Sequence, residues 1–333
     1  ILDFKSELMI RNYDVNIQTD VISNQINWVS NSWINNFGLE NEILGMLKNT
    51  NYNAKNAIRF KTDRNVSEFY GALGFRSELG LYKYSNNNQI NIFKPKLLLK
   101  LSPNDSRDIS ENPTNLSSSN LFELNKINNI EEVDTGSTLS LGFDYKINSL
   151  NERKEVNGEK FKFSLGQMIS AVENKDLPPA STLSEKLSDV VGEVAINFNE
   201  NIKLSNNFLI DQNLENFNKN KIDLDMIYPK TSFNISYLEE REHIGNQKYL
   251  NTSAEFNTNN GQFSFGVKRN LLTDSAEFYD LSYEYINDCL RAGVAFRREF
   301  YRDRDLEPED SLMFKITFSP LGTIATLNSQ KND

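Results

Sequence analysis

A chain of 333 residues carries 46 acidic and 36 basic side chains, which gives a formal net charge of −10. This acidic balance argues against nucleic acid as the main partner, because phosphate binding needs a basic surface. No run approaches the roughly 18 apolar residues of a membrane-spanning helix, which excludes a helical membrane protein. A membrane β-barrel stays open, since its strands need an apolar residue only at every second position.

Polar and apolar residues alternate along most of the chain, as in strands with one apolar and one polar face. The clearest case runs from Leu139 to Ile147, where Asp144 and Lys146 lie on the polar face. The alternation predicts about sixteen strands, at about residues 1–12, 16–33, 37–52, 68–84, 89–102, 139–147, 159–169, 189–198, 202–211, 220–228, 231–238, 249–257, 261–269, 276–286, 289–298 and 311–319. Since no stretch has a convincing helical period, the sequence predicts an all-β, antiparallel fold.

The connections between these strands alternate in length. Counted back from the C-terminal end, long charged connections such as 103–136 and 299–310 fall almost all on one side, and tight turns such as Asn287-Asp288 on the other. One connection, 148–159, is long and charged on the side of the short turns. Outer-membrane barrels have short periplasmic turns and long external loops, so the pattern favours a transmembrane antiparallel β-barrel. A soluble β-sandwich or β-solenoid stays open, because its strands alternate as well.

Four short motifs lie close to the C-terminal end of the chain: DCLRAG at 288–293, FYRDRDLEP at 300–308, SLMFK at 311–315 and PLG at 320–322. Together they resemble the C-terminal end of the LptD (OstA) family, the lipopolysaccharide-assembly proteins of the Gram-negative outer membrane. LFEL at 121–124 and LGFDY at 141–145 are similar to a family segment that leads into a mid-barrel strand. The basic residues usual in that segment are replaced, with Glu131, Glu132 and Asp134 in the region.

The resemblance implies a fold and a location. The family barrel is very large, with about 26 strands, so residues 1–322 would form the C-terminal part of such a barrel and residues 323–333 a periplasmic tail. The chain begins with Ile1 inside a predicted strand. We expect it to be a piece of a longer protein, preceded by a periplasmic domain and the first barrel strands. The expected location is the Gram-negative outer membrane, as an integral protein.

The resemblance also implies a function, the transport of lipopolysaccharide and its assembly into the outer leaflet. In the family the sugars pass through the lumen, and the molecule leaves sideways between the first and last strands. One wall of this lateral gate would be the last strand here, composed of Ser311, Leu312, Met313, Phe314, Lys315, Ile316, Thr317 and Phe318. The implied partners are lipopolysaccharide, an LptE-like lipoprotein in the lumen, and the periplasmic Lpt bridge, which docks on the N-terminal domain.

The single cysteine, Cys289, cannot form a disulfide within this chain. The resemblance implies a disulfide to a cysteine near the N-terminal domain, in the oxidising periplasm. Some family members carry two adjacent cysteines here, whereas Asp288 precedes Cys289 in this chain, which leaves one bridge at most. The strand count independently places Cys289 beside the turn Asn287-Asp288, on the side of the short turns.

Polar residues on inward faces of the strands would line the lumen, and the candidates are Asp144, Lys146, Arg291 and Arg297. A water-filled lumen is polar in any barrel, so no single one of them defines a site. The one histidine, His243, lies in a predicted external loop. The sequence has no cysteine cluster for a metal and no G-x-S-x-G or phosphate-loop motif. We therefore expect no catalytic residues, no cofactor and no metal site.

Two other functions are compatible with the alternating strands. A passive porin or receptor-linked transporter barrel would close on itself, with its last strand paired tightly to the first strand of the same chain. A soluble surface adhesin of stacked β-sheet would have no lipid-facing band, and it would tolerate charged residues on the face formed by Leu139, Leu141 and Phe143.

Overall fold

A computed structural model describes residues 1–13, 16–57, 60, 65–85, 88–103, 107–110, 114–127, 129, 131–179, 182–241, 246–287, 290–300 and 310–318. Within them lie eighteen strands: β1 (Leu2–Tyr13), β2 (Ile17–Val29), β3 (Trp33–Ile34), β4 (Leu39–Lys55), β5 (Asn65–Leu79), β6 (Leu81–Ser85), β7 (Gln89–Leu101), β8 (Thr138–Leu150), β9 (Val156–Ser170), β10 (Val190–Asn197), β11 (Ile202–Ile210), β12 (Phe217–Tyr228), β13 (Thr231–Glu240), β14 (Gln247–Asn257), β15 (Gly261–Asn270), β16 (Ser275–Ile286), β17 (Leu290–Glu299) and β18 (Asp310–Phe318). The predicted all-β, antiparallel fold class is confirmed. A search of the described residues for a long, strongly apolar helix finds none of membrane-spanning length.

Two of the predicted strands are each divided, so the described chain has eighteen strands instead of about sixteen. The predicted strand 16–33 ends as β2 at Val29 and continues as the short β3, and the predicted strand 68–84 is interrupted at Gly80, between β5 and β6. β4 pairs with both β2 and β3, and β7 pairs with both β5 and β6. Each divided strand therefore keeps its place beside the same neighbour.

The described chain forms two compact units. The first comprises Ile1–Ala195, Asn207–Lys219 and Arg241, and the second comprises Ile196–Asn206, Asn220–Glu240 and the described residues from Asn246 onward. Strands β10, β11 and β12 contribute residues to both units.

In the first unit, β1, β2, β4, β5, β7, β8 and β9 follow one another as an antiparallel meander. Side chains alternate between two faces along each strand. On β4, Lys48 and Tyr52 are buried on one face, whereas Ile43 and Leu47 are exposed on the other. We call the first the inner face, which holds even-numbered residues of β4 to β8 and of most of β9 and odd-numbered residues of β1 and β2, and the second the outer face.

The second unit repeats the two-faced arrangement in the meander β13 to β18. We call the more apolar face of this meander its outer face and the other its inner face. On the outer face an apolar row crosses five strands through Phe256, Phe263, Tyr283, Val294 and Phe314. On its inner face a more polar row crosses four strands through Gly266, Asp280, Arg297 and Ser311. The exposed apolar row on one face and the more polar row on the other agree with the two-faced strands that the alternation predicts.

Hydrophobic clusters of the first unit lie on the inner face, beneath connecting segments. One cluster packs Leu121 and Ile127 against Met168 of β9. A second packs Leu124 and Val133 against inner-face residues of β4, β5 and β7. The connection 103–136, which the sequence predicts only as a long polar loop, therefore covers the sheet. We call its described residues between 107 and 136 the covering segment.

Candidate functional site

Acidic residues of the covering segment meet basic residues of the strands beneath it. Nη1 of Arg11, on β1, lies 2.9 Å from Oε1 of Glu131. Two further contacts follow along the sheet. Lys48 of β4 donates to backbone carbonyls of Asn129 and Glu132, and Lys100 of β7 pairs with Asp134. Glu131 and Asp134 thus form ion pairs with inner-face cations, and the backbone carbonyl of Glu132 accepts from Lys48.

Lys100 forms the most deeply buried of these contacts. Its Nζ lies 2.9 Å from Oδ2 of Asp134 and donates to the Asp134 carbonyl oxygen at 2.6 Å. Nζ of Lys126, which is also buried, lies 3.7 Å from the same carboxylate. Burial lowers the pKa of Lys126 to about 8, because the ammonium loses hydration. Two ammonium groups therefore share one buried carboxylate.

Lys48 holds the covering segment through its backbone. Its Nζ donates to the carbonyl oxygen of Glu132 at 3.0 Å and to that of Asn129 at 3.3 Å. A buried ammonium needs hydrogen-bond acceptors in place of water. These two carbonyls supply the acceptors. The two hydrogen bonds therefore hold the covering segment against β4.

Arg107 fastens the start of the covering segment. Its Nη2 donates to the carbonyl oxygen of Glu131 at 2.7 Å, and its Nη1 lies 3.3 Å from Oε2 of Glu68 on β5. The guanidinium also lies over the rings of Phe60 and Tyr52, at 4.4 and 5.1 Å from their centroids. Stacking of this kind suits a weakly hydrated guanidinium in a partly dry site.

Two glycines give the covering segment room to reach the strand backbones. A Cβ atom added at Gly74 of β5 would lie 2.6 Å from Cδ2 of Leu124, and one added at Gly166 of β9 would lie 2.5 Å from Cδ2 of Leu121. Both distances are too short for carbon atoms in contact. The two leucines of the LFEL motif therefore pack directly against the backbone of these glycines.

The first pair of predicted lumen residues lies in the first unit, on the inner face of β8. Oδ2 of Asp144 lies 2.5 Å from Nζ of Lys96, and Nζ of Lys146 lies 3.0 Å from Oε2 of Glu159. Lys96 also lies over the ring of Phe122 in the covering segment, 5.7 Å from its centroid. Asp144 thus stands next to the covered region.

The second pair lies in the second unit, on the inner face of β17. Nε of Arg297 lies 2.9 Å from Oε1 of Glu299 and 3.4 Å from Oδ1 of Asp280. Arg291 is exposed, and in register it faces Ile286 and Thr317. All four candidates lie on inner faces, and their role in lining a lumen stays a prediction.

The predicted gate residues belong to β18, which pairs with β17 in antiparallel register. Leu312 faces Phe296 and Phe314 faces Val294, so the exposed apolar side chains of β18 extend the outer-face rows. Lys315 faces Gly293 on the inner face. The two-faced character of this strand is confirmed, and its role as a gate stays a prediction.

Several predicted features lie outside the described residues. They are Cys289 with the neighbouring Asp288, His243, most of the loop 299–310, and the segment from 319 to the C-terminal end, which includes the predicted tail 323–333.

Sequence reasoning did not assign the buried lysines Lys48, Lys100 and Lys126. Lys48 and Lys100 sit on strand faces whose neighbours, such as Met46 and Leu98, are apolar and buried. A lysine on a face of this kind is almost never fully buried unless it is paired. That pattern, together with the acids at 131, 132 and 134, was the signal that could have predicted a covering segment.

Comparison with known proteins was made by sequence and by structure. The family model "LptD: LPS transport system D" matches residues 22–287. A comparison with curated proteins gives no match.

Among solved structures the chain is similar to a mutant of the porin of Rh. blastica, with 6% identity and a TM-score of 0.39, over 90% of this chain and 95% of that one. It is also similar to the siderophore receptor PirA from Acinetobacter baumannii (8% identity, TM-score 0.41), over 91% of this chain and 56% of the receptor. A third similar structure is OccK7 (OpdD) from Pseudomonas aeruginosa, with 11% identity and a TM-score of 0.39, over 89% of this chain and 80% of that one.

Antiparallel strands with exposed apolar rows on one face and charged pairs on the other are typical of outer-membrane β-barrel proteins. The family match covers most of the described strands, and the chain belongs to the LptD family, LPS transport system D. It is an integral protein of the Gram-negative outer membrane. Membership places it among transport or channel proteins rather than enzymes, with lipopolysaccharide transport as the function of the family.

Proposed function

We propose that this chain forms the C-terminal part of a lipopolysaccharide translocation channel, with a lateral gate at β18. The observation that supports the proposal best is the two-faced character of β18 within a member of this family. Its outer-face residues Leu312 and Phe314 continue the apolar rows of β17, and Lys315 lies on the inner face. A gate strand needs both properties, because acyl chains and sugars would pass it on opposite sides.

The hydrogen bonding of β18 supports the same role. Its pairing with β17 runs from Asp310, which faces Arg298, to Phe318, which faces Leu290. The register of this seam is unbroken along the whole of β18. Unpaired backbone groups in hydrocarbon are costly, so lateral exit requires one short or weak seam. We assign that seam to the other edge of β18, where the first strand of the complete barrel would meet it.

The inner faces would form the wall of the sugar path, with Asp144, Lys146, Arg291 and Arg297 as lumen-facing residues. The covering segment occupies the inner face of the first unit, so it would narrow the path on that side. Its charges are engaged in pairs such as Lys100–Asp134, which favours a structural constriction over a site that binds cargo tightly.

The complete protein would supply the remaining parts. In this proposal residues 1–322 complete a barrel with strands that precede this chain, residues 323–333 form a periplasmic tail, and Cys289 forms a disulfide to the N-terminal region. The partners would be lipopolysaccharide, an LptE-like lipoprotein in the lumen, and the periplasmic Lpt bridge on the N-terminal domain.

Site-specific photocrosslinking in cells that express the full-length protein tests the gate. Phe314→p-benzoylphenylalanine places the probe on the outer face of β18, and Leu141→p-benzoylphenylalanine places it on the outer face of β8, far along the meander. We expect a lipopolysaccharide adduct that depends on ongoing transport at position 314, and a transport-independent signal at position 141. Equal, transport-independent labelling at both positions would refute the gate and favour a passive porin or transporter barrel.

A further inference from the structure

Three strands of the second unit end their outer faces on a cation, and the three cations lie at the same ends of the strands. They are Lys248 on β14, Arg269 on β15 and Arg298 on β17. The connections 241–246, 271–274 and 300–309 leave from these ends, which form the external side in the predicted topology. Farther along the same strands the outer-face residues are mostly apolar, such as Val267 and Phe296. In an integral outer-membrane protein, the cations therefore lie where the apolar band meets the lipid headgroups.

Arg298 is only loosely paired with an acid. More than half of its side chain, 54%, is exposed, and its Nε lies 3.5 Å from Oδ1 of Asp310, the residue that it faces on β18. This distance exceeds the range of about 2.7–2.9 Å that is typical of a charge-assisted hydrogen bond. The neighbouring Arg297, on the inner face, is held more closely, with its Nε 2.9 Å from Oε1 of Glu299. The guanidinium of Arg298 is therefore open to a second anion.

Two aromatic rings position the guanidinium of Arg298. Its Cζ lies over the ring of Phe300, 5.1 Å from the centroid. That ring packs edge-on against Tyr279, with 5.4 Å between the centroids and an interplanar angle of 88°, and Tyr279 faces Arg298 in register. A guanidinium that lies over a ring keeps its N–H donors in its own plane. These donors can meet two oxygens of one phosphate, which is the geometry that favours arginine at phosphate sites.

We propose that Arg298, placed over Phe300 and facing Tyr279, binds a phosphate of the saccharide headgroup of lipopolysaccharide in the external leaflet. The exposed cation complements the charge of the phosphate. The apolar outer-face rows of β17 and β18, which include Phe296 and Leu312, continue from the same site and match the acyl chains of the same molecule. The occupant is therefore an amphiphile with an anionic head, and a free phosphate ion would leave these rows unused. The proposal rests on the proposed gate for the route by which the lipid arrives, because Arg298 lies on the strand next to β18.

Photocrosslinking in cells that express the full-length protein tests the site, with Phe296→p-benzoylphenylalanine as an outer-face probe two residues from Arg298. In this background we expect Arg298→Gln to lower the lipopolysaccharide adduct at least fivefold. The control Lys230→Gln removes an exposed cation just before β13, at the short-turn end of the same meander, and should keep the adduct within twofold. Asp310→Asn should maintain or raise the adduct, because it removes the competing acid. Equal losses in Arg298→Gln and Asp310→Asn would show that Arg298 only joins β17 to β18, and an adduct that is independent of Arg298 would also overturn the proposal.

A second measurement separates this site from the gate. The purified full-length protein with the probe at position 296 is illuminated with lipopolysaccharide before and after a phosphatase has removed its phosphates. We expect at least fivefold less adduct with the dephosphorylated lipid, and equal adducts would overturn the phosphate site whatever happens at the gate. In cells, the probe at Phe314 should keep its transport-dependent adduct in Arg298→Gln, which also shows that this variant folds and inserts. Loss of the Phe314 adduct in wild type would refute the gate, and the phosphate dependence at position 296 would still decide the site.

Discussion

Nζ of Lys100 lies 2.9 Å from Oδ2 of Asp134, and both side chains are almost completely buried. The pair joins β7 to the covering segment across 34 residues of sequence. Breaking such a pair by removing one partner leaves an uncompensated buried charge, which costs about 3–5 kcal/mol. The contact therefore contributes strongly to holding the covering segment on the inner face.

The first prediction is that Lys100→Met loosens the covering segment. The Asp134 carboxylate would keep the backbone N–H of Lys126, which donates to its Oδ1 at 2.9 Å, but only the more distant Lys126 ammonium as a charged partner. We therefore expect faster amide hydrogen exchange over residues 121–135 in the full-length protein. Lys221→Met is the matched control, because Nζ of Lys221 lies 3.2 Å from Asp223 in a more exposed pair, and such pairs contribute about 0–1 kcal/mol. The same exchange rates in both variants would show that the buried pair does not hold the segment.

The second prediction concerns pH and Lys126. Burial lowers the pKa of Lys126 in the folded state to about 8, from 10.5 in the unfolded chain. Between these values the unfolded state binds more protons, so the contribution of this group to stability rises with pH. Below about pH 8 the cost of burying the charged ammonium is fully present, and it is relieved as pH rises through 8 toward 10.5.

The variant Lys126→Met removes this cost at every pH. We therefore expect it to be more stable than wild type at pH 7, with a difference that shrinks by pH 9.5, measured by urea denaturation of the full-length protein. Taking the difference between the two proteins cancels other groups that titrate in this range. A difference that stays constant from pH 7 to pH 9.5 would contradict the lowered pKa.

The strand pattern could be predicted because alternation is a local property. Each strand of the second unit has one apolar face, and residues two apart, such as Leu312 and Phe314, settle the assignment without knowledge of the neighbours. The breaks at β3 and β6 were missed because alternation continues across them. Gly80 was the available local signal, since a glycine inside a strand pattern often marks an irregularity.

The covering segment could not be predicted in the same way. Its buried residues, such as Leu121, Leu124 and Val133, follow neither a helical nor a strand period, because each meets a different position on the sheet. Its path is fixed by contacts distant in sequence, including Lys48 with Glu132 and Lys100 with Asp134. Polar composition alone predicts a solvated loop, whereas here the polar groups are paired with strand residues.

The third prediction tests the seating of the LFEL motif. In Gly166→Ala the new Cβ would lie 2.5 Å from Cδ2 of Leu121 and 3.0 Å from the carbonyl oxygen of Leu141. The backbone oxygen has little freedom to move, so we expect a loss of about 1–3 kcal/mol, as is typical of overpacking. In the control Gly266→Ala the nearest atom would be Cβ of Asp280 at 3.6 Å, an ordinary contact. Equal urea midpoints for the two variants would show that Leu121 adapts freely.

The fourth prediction concerns Cys289, which lies outside the described residues, between the described end of β16 and the start of β17. Asn287 N donates to the carbonyl oxygen of Leu290 at 2.9 Å, and Ile286 faces Arg291 in register. The connection from β16 to β17 is therefore short, as expected on the periplasmic side of an outer-membrane barrel. In the oxidising periplasm a cysteine between two strands joined on that side can form a disulfide to a periplasmic domain.

We expect the full-length protein, extracted from its native membrane, to change electrophoretic mobility when it is reduced. Mass spectrometry should place Cys289 in a bridge to a cysteine upstream of this chain. Cys289→Ser should remove the mobility change, whereas the nearby Ser282→Ala, on β16, should preserve it. A free thiol at Cys289 in the mature wild-type protein would remove the support that this turn gives to the family topology. The passive-porin alternative would then compete on equal terms, because a closed barrel of that kind needs no covalent link to a periplasmic domain.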